Sequence, residues 1–284
     1  MSDNRPRTPD RKFALIAPIV IGAAAVVVVV MVLLRPHPAP PAKVAPPPLV
    51  PAPSAAAVSA PPKIAPAARA DLIADADVAA SAFAAGQATP PSKLVGERFS
   101  IRLAFGCGGP VADPGPLQAY YQLDAATRTV RLVARPATWT DLPLVRAAAT
   151  TQAAETVEGF WIPRPWLRVE GCPYRREVAP PATPTPVEAP SLGLAMFHSQ
   201  EASRAERRGD RPYEHVFKLP IDRDGQKLSF RLLLEGRISG FSNRSAVRCW
   251  GESVDHRPVC LYGVDVDRVA FEAEDGTLLA DWPR

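Results

Sequence analysis

The residues whose chemistry is most constrained by number and placement are four cysteines, Cys107, Cys172, Cys249 and Cys260. An even set in the C-terminal part of a chain admits two disulfides, with three possible pairings, or a metal site. No CxxC or HxxxH spacing accompanies them, so zinc is not expected, and no other metal or cofactor is implied. The favoured pairing is Cys249 with Cys260, closing a local loop or hairpin, and Cys107 with Cys172, joining distant strands.

The search for nucleophiles and acid–base groups yields no catalytic set. There is no GxSxG elbow and no SxxK. The AFGCGGP stretch around Cys107 resembles the catalytic SHGC stretch of L,D-transpeptidases in its Gly-Cys pair alone. The histidine before it is absent and Gly-Gly-Pro comes after, so a disulfide accounts better for Cys107. Histidines are few: His37, then His198, His215 and His256. Asp255-His256 has the composition of part of a triad but falls inside the expected Cys249–Cys260 loop. Asp222-Arg-Asp224-Gly225 begins like an EF-type loop and lacks its later ligands. Asp265 and Asp267 alternate along an expected strand and share a face. No carboxylate pair stands out for glycoside hydrolysis.

Aromatic residues carry a stronger suggestion. Phe160, Trp161 and Trp166 stand in GFWIPRPW, with Tyr174 close behind. Indole rings beside rigid prolines suit a flat platform for sugars or proline-rich peptides. Arg204, Arg207, Arg208 and Arg211 form a basic cluster, but Glu201, Glu206 and Asp210 interleave it, as on a solvated surface.

The elements that must position these residues are mostly strands. Residues 69–89 predict a short helix, with Asp71, Asp75 and Asp77 near its start and Gly86 at its stop, though Leu72, Ile73, Val78 and Phe83 form no clean stripe. From residue 93 to 284 the pattern turns to short runs of period two: Phe99 to Phe105, AYYQLD, TVRLVARP, interrupted strands in GFWIPRPWLRVEGCP, LGLAMFH, EHVFKLP, LSFRLLLEGRIS and CLYGVDVDRVAFEA. Asp224-Gly225 and Asp275-Gly276 read as hairpin turns, SQEASRAERRGD as a short surface helix, and 178–190 as a Pro-rich loop or linker. The expectation is mainly β, an antiparallel sandwich or barrel-like domain.

Upstream, Phe13 to Leu34 is twenty-two residues without a charge. A helix of that length spans roughly 33 Å, enough for a bilayer's hydrocarbon core. It is longer than the apolar region of a signal peptide, so an uncleaved transmembrane helix is expected. Arg5, Arg7, Arg11 and Lys12 precede it against Arg35 and Lys43 after it, which places the tail 1–12 in the cytoplasm. Residues 35–68 hold twelve prolines and read as an extended, disordered linker. The net charge of +4 resides in these N-terminal segments, so nucleic acid is not an expected partner.

This anchor–linker–domain layout resembles TonB-type energy transducers and several division and secretion components, in architecture only. The expected protein is a single-pass inner-membrane protein with a periplasmic binding domain, non-catalytic, meeting envelope proteins or peptidoglycan. An envelope hydrolase built from His198, His215, His256 and nearby acids is the alternative.

Overall fold

Arg69–Ala84 forms helix α1, and the physical reason lies in its alanines. Leu72, Ile73, Ala76 and Ala79 are buried at helical spacing, while Val78 and Phe83 are exposed. The stripe is real, but small residues carry it, so that counting only large apolar side chains hides it. The Asp71 carboxylate accepts the Ala68 N–H at 2.8 Å at the start. Gly86, at φ +67°, ends the helix, with the Gln87 N–H donating to the Ala82 carbonyl.

The computed structural model describes residues 65–146, 154–174, 189–201, 206–208, 211–241, 245–253 and 255–284. The expected transmembrane helix 13–34, most of the linker and 178–188 of the Pro-rich segment lie outside them. Among the described residues, no helix is long and apolar enough to cross a membrane.

The described residues are mainly β, in two sheets, consistent with a β-sandwich. In chain order the strands are β1 Arg98–Phe105, β2 Ala119–Asp124, β3 Thr129–Ala134, β4 Ala137–Thr138, β5 Thr156–Trp161 and β6 Leu192–His198. They continue with β7 Tyr213–Lys218, β8 Phe230–Ile238, β9 Val247–Trp250, β10 Val259–Ala273 and β11 Leu278–Pro283. The small sheet runs β2-β3-β7. The large one runs β1-β8-β10-β6-β5-β4, with β9 and β11 also on β10.

The fifteen residues of β10 are central to the large sheet. Its first part pairs with β9 and β6, its second with β8 and β11. The β6–β10 pairing is parallel, an exception to the expected antiparallel pattern. β5 and β6 are antiparallel neighbours although the Pro-rich segment separates them in sequence, so that segment does not divide the sheet.

Aromatic side chains join the two sheets. Tyr121 of β2 meets Phe230 of β8 edge-on at 5.3 Å, and Tyr213 of β7 meets Trp282 of β11 at the same distance. Each fully buried ring of this kind contributes roughly 1.5–3 kcal/mol relative to exposure. Tyr262 of β10 is fully buried and ties α1 to the sheet, donating to the Leu72 carbonyl at 2.7 Å and meeting Asp75 at 3.0 Å. Burial is the main cause of its raised pKa, ahead of Asp75.

Two local expectations are corrected. Asp224-Gly225 does not turn a hairpin: Gly225–Lys227 is a 3-10 turn, capped by the Asp224 carboxylate accepting from Gln226 N–H, and it carries the chain from one sheet to the other. The one or two interrupted strands expected in GFWIPRPWLRVEGCP come down to the end of β5, which stops at Trp161 before Pro163, and side chains hold the residues beyond. Asp275-Gly276 does turn the β10–β11 hairpin, with Gly276 at φ +88°.

Candidate functional site

The segment from Pro163 to Tyr174 has no strand or helix of its own, yet four attachments hold it. The Arg69 guanidinium, 3% exposed, donates to the carbonyls of Leu167 at 2.8 Å, Pro163 at 2.6 Å and Arg164 at 3.0 Å. Burial, with the nearby Arg164 charge, lowers its pKa to about 10, partly offset by Glu170. Arg164 sits in left-handed backbone at φ +50° and reaches back to donate to the Ala104 carbonyl at the end of β1. Such a conformation in a non-glycine residue costs roughly 1 kcal/mol or more, so the surrounding contacts must enforce it.

The third attachment is Glu170. Its carboxylate accepts the Arg102 backbone N–H at 3.1 Å, on the open edge of β1, and lies 3.6 Å from the Arg102 guanidinium. Arg102 is itself held bidentately by buried Glu272, at 2.7 and 3.2 Å, and that carboxylate first of all raises its pKa. The fourth is the Cys107–Cys172 disulfide, with a Cα–Cα distance of 5.6 Å. Arg69, Arg102, Pro163, Arg164, Leu167 and Glu170 line a shallow dent beside the segment that has no room for a water molecule.

Above these attachments the loop turns large apolar side chains outward. Trp166 is 57% exposed, Val169 61% and Tyr174 91%. These side chains stand on a backbone already fixed in place, so a contact made by them would cost little ordering entropy.

The three residues of the expected platform are not brought together. Phe160 is buried in the main core. Trp161 is half-buried, its ring 4.3 Å from that of Trp139 over the second, smaller core. Gly159 and Gly193 give Trp139 its room, since a Cβ on Gly159 would fall 2.2 Å from the Trp139 ring. Only Trp166 of the three faces solvent. Gln118 fixes this end of β5, donating to the Gly159 carbonyl at 2.8 Å and accepting the Trp161 N–H at 2.7 Å. Neither Trp139 nor Gln118 is marked by any sequence motif.

No family model, no curated protein and no solved structure matches the chain. Its chemistry therefore rests on its own geometry.

The cysteines pair as the spacing suggests, and among the described residues none is free. Cys249 and Cys260 stand directly opposite each other on β9 and β10. The histidines are scattered. His215 stacks on Phe217 of the same strand, and His256 Nδ1 lies 3.3 Å from Ser253 Oγ in an exposed loop. His198 is buried between two carboxylates, with Nε2 3.8 Å from Glu158 and Nδ1 3.6 Å from Glu206.

Glu158 accepts the Arg208 N–H at 2.9 Å and lies 3.9 Å from Arg207 Nε, while Glu206 pairs with Arg284. Arg207 thus turns toward Glu158, and Arg208 covers the Tyr213 ring at 4.2 Å. This is an ion network that fastens the segment after β6. Two members of the expected basic cluster belong to it, and Arg204 lies outside the described residues. Among the described residues no group of three acidic, histidine or cysteine side chains is arranged to hold a metal.

Proposed function

We propose that the chain is a single-pass, membrane-anchored interaction protein of the cell envelope. Its β-sandwich domain lies outside the cytoplasm and binds an envelope protein or peptidoglycan without catalysing a reaction. The observation that carries this reading is the pinned loop, in which Arg69, Glu170 and Cys172 hold the backbone beneath outward-facing Trp166, Val169 and Tyr174. Two disulfides fit an oxidising compartment, and the excess of basic residues before Phe13 supports the matching orientation. The flat faces of Trp166 and Tyr174 suit a sugar ring or an extended peptide.

The test is chemical cross-linking in intact envelopes with the full chain and its Trp166→Ala/Tyr174→Ala variant. A protein or wall fragment captured by the wild type and lost with the variant supports the reading and identifies the class of partner. Capture unchanged by the variant removes the loop from the binding surface.

A further inference from the structure

The small sheet ends in β7, and one edge of that strand is open. The Leu219 N–H donates to the Arg128 carbonyl at 2.9 Å, which makes that pair a hydrogen-bonded one. Since β7 pairs with β3 at Lys218↔Thr129 and onward in register, Tyr213, His215 and Phe217 bond to β3. The N–H and C=O groups of Glu214, Val216 and Lys218 therefore point away from the sheet. All three residues are exposed, and among the described residues no backbone group bonds to that edge. Pro212 and Pro220 share the same outward parity and have no N–H to offer. The usable edge is thereby limited to 214–218, with Val216 at its centre.

We propose that this edge pairs with the same edge of a second copy of the chain, antiparallel about a two-fold axis through Val216. In that register each outward N–H and C=O meets a partner, Val216 faces Val216, and Glu214 faces Lys218 across the axis in both directions. Opposite charges directly across a strand pair stabilise it, and here they add to contacts each group already makes within its own sheet, Glu214 with Arg131 and Lys218 with Thr127 and Thr129. A shift by two residues in either direction sets a proline against an outward-facing residue and breaks both charge pairs. The self-complementary order Glu-x-Val-x-Lys is what selects a second copy as occupant. The contact is isologous and closes on itself, joining two small sheets into one continuous sheet.

The test uses the full chain in membranes with Val216→Cys. Hydrogen-bonded antiparallel neighbours have Cα atoms about 5.5 Å apart, within disulfide reach. Mild oxidation yields a disulfide-linked dimer on a non-reducing gel, while the equally exposed Leu278→Cys yields none. Adding Lys218→Glu, which sets glutamates opposite each other, lowers the dimer about fivefold. Adding Glu214→Lys as well restores it. No dimer at Val216→Cys, equal dimer at Leu278→Cys, or a yield indifferent to the charge changes overturns the proposal.

Discussion

Arg69 is a charge buried to fix a loop. Its guanidinium satisfies carbonyls at three positions of a segment that has no ladder to satisfy them. Arg69→Met leaves those carbonyls without their donor, and the variant should lose roughly 2–4 kcal/mol of stability, read from the urea midpoint. Proteolysis within 163–174 should rise in parallel, and an unchanged midpoint would contradict the role. None of this is legible in the sequence, where Arg69 ends a Pro/Ala-rich run. A buried cation is recognised only by its partners, which here lie more than ninety residues away. The Phe160–Trp166 stretch was legible as aromatic and rigid, but not that Phe160 turns into the main core and Trp161 onto the smaller one while Trp166 turns out. Alternation along β5 decides the first two, and the strand ends before it can place the third.

At the scale of elements, period two and turn residues place most strands. They fail where local signals must choose a partner. Asp224-Gly225 has hairpin chemistry, yet β7 belongs to one sheet and β8 to the other, because Phe230 and Phe217 meet across the core at 6.3 Å. β11, with the half-exposed sequence LLADWP, has weak periodicity and is held by pairing with β10. Arg268 on β10 donates to Asp281 on β11 at 2.8 and 3.1 Å and holds that carboxyl below the usual range.

A depressed carboxyl pKa contributes stability that is complete above the unfolded value, about 3.9, and is lost as pH falls through the folded one. Asp281→Asn should therefore melt below the wild type at neutral pH, with the two curves converging as pH falls through the folded-state pKa of Asp281. A constant offset across that range would contradict the ion pair's role. Close packing gives a second check on the sheet. A Cβ on Gly236 would fall 2.1 Å from the Asp265 carbonyl, beside the irregular step in the β8–β10 register. Gly236→Ala should cost roughly 2 kcal/mol or more, visible as a lower melting temperature.

For the whole molecule, the two disulfides close loops of very different length. The sequence separations are 65 and 11 residues. In the chain-entropy account these correspond to about 4 and about 3 kcal/mol. Substituting the Cys107–Cys172 pair by serine should thus destabilise more than substituting Cys249–Cys260, and it should also free the end of the 163–174 loop. The mainly β class was legible from periodicity, while spacing favoured the pairing found without excluding the other two. The joining of β5 to β6 across the Pro-rich segment was not legible, since no local signal names a strand's partner across a long connection.

The central claim is that the pinned loop meets a partner outside the cytoplasm. A photo-activated cross-linking amino acid placed at Trp166 of the full chain, irradiated in intact cells, tests it most directly. The expected result is one discrete adduct that is absent when the same group replaces Leu278. No adduct at position 166, or the same adducts from both positions, would contradict the claim.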